Sequence, residues 1–289
     1  MKRIAASELI INDDGSVFHL HLKPEQLADR IILCGDPARV STIAGYFDTK
    51  ECEVSNREFH TITGMYKGKR LTVISHGIGC DNMDIVISEL DALANIDFTT
   101  RTVLPDFRQL AMVRIGTSGG LQPFTPIGTY VAAELSIGFD GVVYFYKDND
   151  KVRDIRIEEE LIRQLGWNIA GVRPYVVSAD RSLIEQIAQD DIIRGMTIAA
   201  NGFYGPQGRE LRLPLADREL NKKIESFNFE NRCITNFEME SSALAGLAAL
   251  MGHRAMTVCC IIAGRVDKHM NTDYKNLLSV LIEKALDRI

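Results

Sequence analysis

The chain carries 289 residues, of which 46% are hydrophobic and 25% charged, a make-up ordinary for a globular protein and long enough to bury a substantial core. Its net charge of −6 argues against a nucleic-acid scaffold, while leaving room for a local cluster of arginines around a small anion. No run of about 18 apolar residues is present to span a bilayer, and Met1-Lys2-Arg3-Ile4-Ala5-Ala6-Ser7-Glu8 turns acidic and polar before a signal-peptide core can form. A cytoplasmic protein with a small-molecule partner, and neither membrane nor nucleic acid as partner, is expected. The six cysteines (Cys34, Cys52, Cys80, Cys233, Cys259, Cys260) form no CxxC pair. They read as reduced and mostly buried thiols rather than a disulfide framework or zinc site.

In chain order, short β-branched runs appear at Ile31–Cys34, Leu71–Ile74, Ala111–Ile115, Thr129–Ala132, Tyr175–Val177, Met196–Ile198 and Met256–Ile262, the pattern of buried strands. Helical spacing occupies Met83–Ala94, Ile157–Leu165, Leu183–Ala188, Glu240–Met251 and Asn276–Leu286. This alternation predicts an α/β fold with a central, largely parallel sheet flanked by helices on both faces. Lys67-Gly68-Lys69 reads as a hairpin turn, which makes the sheet mixed. The charged stretch Lys147–Glu160 reads as a solvated excursion leading into a helix. No repeat or composition break divides the chain, so residues 1–289 are expected to form a single domain.

Several segments could carry chemistry. Gly35-Asp36-Pro37-Ala38-Arg39-Val40 leads from the first strand towards a helix, where backbone N–H groups, the helix start and Arg39 could receive an anion. The same residues also fit a plain turn in which Asp36 caps the helix and Arg39 is solvated. Arg114-Ile115-Gly116-Thr117-Ser118-Gly119-Gly120 repeats the pattern of a strand running into small residues, again readable as a phosphate site or as a glycine turn. Gly116–Gly120 further matches G-x-S-x-G, with Ser118 as nucleophile and His253 or His269 as base, but Leu121–Pro126 is a poor helix to follow an elbow. His76-Gly77-Ile78-Gly79-Cys80-Asp81-Asn82 is half a dinucleotide fingerprint.

Phe203-Tyr204-Gly205-Pro206-Gln207-Gly208-Arg209-Glu210 holds an aromatic, an amide and a guanidinium on an irregular backbone, suited to a flat base or equally to a surface loop. Asn236-Phe237-Glu238-Met239-Glu240-Ser241-Ser242-Ala243 places two carboxylates about a methionine at the start of an apolar helix. One could read sugar hydroxyls while the other serves the helix dipole. His19-Leu20-His21 fits alternating strand residues. Asp267 with His269 lacks a third metal ligand. Arg57 has no local rationale.

Taken in this order, these segments closely resemble the nucleoside phosphorylase-I family, in its uridine phosphorylase branch, from Phe18-His19 to near Arg265. The resemblance implies a mixed-sheet α/β fold that cleaves a nucleoside with inorganic phosphate as co-substrate and no other cofactor. It implies phosphate binding by Gly35, Arg39, Arg57, Arg114 and Thr117, base binding by Phe203, Gln207, Arg209 and Arg265, and ribose binding by His19, Met239 and Glu240. Among these, Arg39, Arg57, Arg114, Gln207, Arg209 and Glu240 would act in catalysis. Arg57 and His19 would be lent by a neighbouring subunit in a homo-oligomer, a dimer or a hexamer built from dimers. A monovalent cation such as potassium would draw on Glu58, Ile78 and the position of Asn82, although Cys80-Asp81-Asn82 departs from the small Gly-Pro-Ser type of segment. Arg265 stands where purine-specific relatives carry an aspartate, which favours a pyrimidine. A purine phosphorylase or nucleosidase of the same superfamily, and a non-catalytic nucleotide-binding module, are the competing readings.

Overall fold

A computed structural model describes residues 2–264 and 269–289. The first strand, β1 (Arg30–Cys34), runs into α1 (Pro37–Ala44). A meander follows, formed by β2 (Thr49–Asn56), β3 (Phe59–Tyr66) and β4 (Lys69–Ser75). After α2 (Cys80–Asn95) come the two-residue strands β5 (Ile96–Asp97) and β6 (Thr102–Val103), then the long β7 (Ala111–Gly120) and β8 (Tyr130–Gly138). The second half alternates α3 (Ile155–Leu165), β9 (Tyr175–Ser178), α4 (Arg181–Ile187), β10 (Ile193–Ala199), α5 (Leu220–Ser226), β11 (Ile234–Glu238), α6 (Ser241–Met251), β12 (Arg254–Gly264) and α7 (Lys275–Arg288).

Among the described residues, ten strands form one mixed sheet in the order β11-β10-β8-β12-β7-β1-β4-β3-β2, with β9 added beside β8. β11 also pairs with β7, so β7, β12, β8, β10 and β11 close into a ring. Parallel pairings within the sheet are matched in number by antiparallel ones, more than the apolar runs implied. The antiparallel pairings come from the β2–β3–β4 meander, from β8 against β12 and β9, and from β11 against β7. The expected hairpin is present, and Lys67 (φ 47°) and Gly68 (φ 78°) both take the left-handed conformation that a two-residue turn of this hand requires.

Alternation along the strands divides the core. Ile32 and Cys34 of β1 and Val113 and Ile115 of β7 pack with α1, α4 and α7, while Ile31, Leu33 and Met112 pack with α2 and α6. By the same period of two, Arg114 projects to the α2/α6 side. Each fully buried Ile or Leu on these faces contributes about 2 kcal/mol, which makes register, and therefore the direction of Arg114, strongly specified.

Several expectations are corrected. β7 runs unbroken to Gly120, so Gly116–Gly120 is neither a glycine turn nor an elbow. His19-Leu20-His21 is not a strand: His19 and Leu20 belong to a turn, Leu20 is buried and His21 takes φ 56°. The strand β2 escaped the hydrophobic pattern because it is a polar edge of alternating Lys, Glu and small residues, the composition that discourages edge pairing. β11 was read as the approach to a helix, whereas it is a buried strand.

The charged stretch from Lys147 is not wholly solvated. Asp154 caps α3 by accepting from the Ile157 N–H at 3.2 Å, and Arg153 grips the fully buried Glu158 with two bonds of 2.8 and 2.5 Å. Glu158 also accepts the Val176 N–H at 3.1 Å, tying α3 to β9. Removal of Arg153 leaves a buried carboxylate without its counter-charge. Arg153→Ala should therefore lower unfolding stability by about 3 kcal/mol, read from the urea midpoint. Adding Glu158→Gln in that background should recover part of the loss.

Candidate active site

The carboxyl ends of β1, β4 and β7 face the start of α6 across one large cavity of about 1410 Å³. Gly35, directly after β1, brings backbone to the cavity wall, and a Cβ there would lie 3.0 Å from the Gly77 carbonyl oxygen. Asp36 accepts the Ala38 N–H at 2.9 Å and caps α1. Arg39 is half-buried and reaches across the sheet to donate to the Ile115 carbonyl at 3.2 Å. The cap and the inward cation coexist, so the two readings of this segment were not exclusive.

Arg114 sits at the floor with a side chain 5% exposed. Its Nη1 lies 2.9 Å from Glu238 Oε2, its Nη2 bonds Glu240 Oε2, and its Nε donates to His76 Nε2 at 3.1 Å. Burial opposes the charge on Arg114, but Glu240 and Glu238 outweigh it and hold the guanidinium firmly cationic. Glu240 is pushed up by burial against the pull of Arg114, with Glu238 adding to the rise. Gly116 makes the slot possible. A Cβ at that position would come within 2.7 Å of Arg114 Nη1 and 2.9 Å of Cys259 Sγ.

The two glutamates divide their work. Glu238 accepts the backbone N–H of Glu240 (2.9 Å) and of Ser241 (3.0 Å), together with the Ser241 hydroxyl (2.6 Å), and so satisfies the start of α6. Glu240 takes the Gly79 N–H at 2.6 Å, ahead of α2. Met239, half-buried between them, also lines the cavity.

The far wall is the irregular segment after β10. Gln207 is buried, and its Oε1 accepts from Arg209 Nη1 at 2.6 Å. Arg209 also bonds the Phe203 carbonyl at 2.5 Å and lies over the Phe203 ring, 3.8 Å from its centroid. Thr117, from β7, is half-buried and lines the same cavity. Gly35, Arg39, Arg114, Thr117, Phe203, Gln207, Arg209, Met239 and Glu240 are thus brought to one space.

His19 and Arg57 are not. They lie together outside this cavity: Asn56 Nδ2 donates to the His19 carbonyl at 2.8 Å, and Arg57, exposed with φ 54°, lies 5.6 Å from the Phe18 ring centroid. Glu58, the next residue of the same hairpin, does line the cavity, as do Ile78 and Asn82. Glu58 Oε1 is engaged by Asn82 Nδ2 at 3.2 Å. The three residues expected to hold a monovalent cation therefore stand together on the cavity wall. Arg265 and Asp267 lie outside the described residues.

Other chemistry is disfavoured by the surroundings. Ser118 is buried within β7 with no helix after it, contrary to the needs of a nucleophile elbow. Of its two candidate bases, His253 is buried against Asp91 at 3.1 Å, beside Leu110, while His269 is exposed at the cavity edge. Burial pushes the thiols of Cys34 and Cys259 up to about 12, so neither is a ready thiolate. Three side chains escaped the sequence reading as site residues. Arg218, before the short polar helix α5, and Lys222, on it, border the cavity but carried no signal beyond surface charge. His76 was read only as part of a weak fingerprint.

Comparison with known proteins places this geometry. The model of the phosphorylase superfamily matches residues 29–286. The chain is 29% identical to a uridine phosphorylase of Thermococcus kodakarensis, over 92% of this chain and 84% of the relative. It is 28% identical to a uridine phosphorylase of Haemophilus influenzae, covering 88% of each. Its fold matches the crystal structure of a Trypanosoma brucei nucleoside phosphorylase, described as showing uridine phosphorylase activity, with a TM-score of 0.87 and 28% identity over 97% of this chain and 100% of that one. The chain belongs to the phosphorylase superfamily and is an enzyme of its pentosyl-transferring type.

Proposed function

We propose that this enzyme is a uridine phosphorylase, converting uridine and inorganic phosphate to uracil and ribose 1-phosphate and back. The observation that carries the reading is the single cavity in which an arginine-rich glycine edge, a carboxylate beside a methionine, and an amide–guanidinium pair face one another. Those are, in order, surfaces for an oxyanion, a vicinal diol and the polar edge of a base. The three relatives compared above support the same substrate.

Phosphate held by Gly35, Arg39, Arg114 and Thr117 attacks C1′ from the face opposite the base, through a ribosyl transition state with oxocarbenium character. The nucleophile is already anionic, so the enzyme's contribution is placement and charge stabilisation. Glu240 and Met239 hold the sugar. As the glycosidic bond breaks, negative charge moves onto uracil, and Gln207 and Arg209 bind that charge more strongly than they bind the neutral base. Phe203 and Arg265 complete the base site.

His19 and Arg57 reach the reaction from a neighbouring subunit, Arg57 to phosphate and His19 to the 5′-hydroxyl. The exposure of Arg57 at the β2–β3 hairpin tip, with His19 close by and both outside the chain's own cavity, supports a site shared in a homo-oligomer. The reading carries with it a cytoplasmic enzyme of pyrimidine nucleoside salvage, with residues 1–289 as one catalytic domain.

The deciding assay is uracil release from uridine with and without phosphate, with inosine in parallel. Phosphate-dependent turnover of uridine is expected. Turnover of inosine, release without phosphate, or no reaction would indicate a purine enzyme, a hydrolase or a binding module. Arg209→Ala should lower kcat at saturating uridine by about 100-fold, and an unchanged kcat would reject its role at the leaving group. Glu240→Gln should reduce kcat/KM for uridine about tenfold more than for 2′-deoxyuridine, the scale of one charged hydrogen bond. Equal losses on both substrates would argue against a contact to the 2′-hydroxyl.

A further inference from the structure

His76 follows β4 directly, and its backbone N–H donates to the Cys34 carbonyl at 2.9 Å, which anchors it beside the end of β1. The residue is fully buried and does not line the cavity. Its Nε2 lies 3.1 Å from Arg114 Nε. A guanidinium has donors only, so Nε2 must carry a lone pair and the ring proton must sit on Nδ1. Nδ1 is buried and meets no side-chain acceptor among the described residues, with the backbone of Gly77 beside the ring.

The carboxylates of Glu238 and Glu240 draw the Nη end of Arg114 towards the start of α6. Gly116 leaves the slot beneath it open. The side-chain acceptor for Nε is His76. We infer that His76 is a positioning residue for phosphate: acting as a neutral acceptor, it fixes the plane of the Arg114 guanidinium and thereby the aim of that cation into the anion site. The inference rests on the phosphate role proposed for Arg114. His76 touches neither substrate and acts only through that arginine.

The test compares wild type, His76→Leu and His76→Gln in calorimetric titrations with inorganic phosphate and in steady-state kinetics. Leu removes the acceptor, while the Gln amide oxygen can restore it. His76→Leu should weaken phosphate, in Kd and in phosphate KM, by about tenfold, the scale of one lost charged hydrogen bond. Its uridine KM should stay within about twofold, and His76→Gln should recover most of the loss. Unchanged phosphate affinity in the Leu variant, an equal loss for both substrates, or no recovery with Gln would overturn the assignment. Nitrogen-15 NMR of histidine-labelled wild type supplies a readout that needs no substitution. A ring protonated on Nδ1 alone is expected, and a proton on Nε2 overturns the assignment. A wild-type protein that binds no phosphate overturns the functional reading itself, whereas normal wild-type binding with an indifferent His76→Leu overturns only the role of His76.

Discussion

The site depends on one buried cation. Arg114 is sunk into the sheet between Glu238 and Glu240, and every neighbouring feature answers a requirement of that burial. A guanidinium taken out of water needs counter-charge and an acceptor for each end of its fork. Two carboxylates supply the first, and His76, with Cys259 Sγ at 3.7 Å, helps supply the second. The glutamates must themselves be held, and they are held by backbone N–H groups: Glu238 at the start of α6 and Glu240 ahead of α2. The ends of two helices on one face of the sheet are thus tied electrostatically to the centre of β7.

That arrangement brings the two substrate surfaces proposed here into direct contact. Arg114, assigned to phosphate, and Glu240, assigned to ribose, form a direct ion pair in this structure. The wall beyond them is built differently. The segment from Phe203 to Arg209 has little regular structure and is stiffened by its own contacts, with Arg209 bound to the Phe203 carbonyl, to Gln207 and to the Phe203 ring. Such a wall can present donors to a base without a strand or helix behind each residue. The β2–β3 hairpin is divided at its tip, with Glu58 turned to the cavity and Arg57 kept outside it.

Much of this was legible in the order of residues. The alternation of apolar strands and amphipathic helices specified an α/β fold with helices on both faces, because burial of one face is periodic and periodicity is local information. The hairpin at Lys67-Gly68 was legible because only certain residues tolerate two consecutive positive φ angles. The glycine edges at Gly35 and Gly116 and the Glu238–Glu240 pair stood out as residues with a stated chemical use. Strand β2 was hidden by its polar edge composition, and β11 by being taken for the lead-in to α6.

What tertiary structure alone decided is the direction and partnership of each charged group. Local sequence left Arg39 and Arg114 open to solvent or ligand, and left both glutamates as candidates for the helix dipole. The choice came from parity along β7, which turns Arg114 to the α2/α6 side, and from chain crossings that bring residues 76, 114, 238 and 240 together. The role of His76 was hidden for the same reason, since it lies in a contact made 38 residues away. Sequence determines which chemistry is available and which faces are buried, because those follow from composition and period. Partnership across the sheet is set by register and topology, which many distant residues decide jointly.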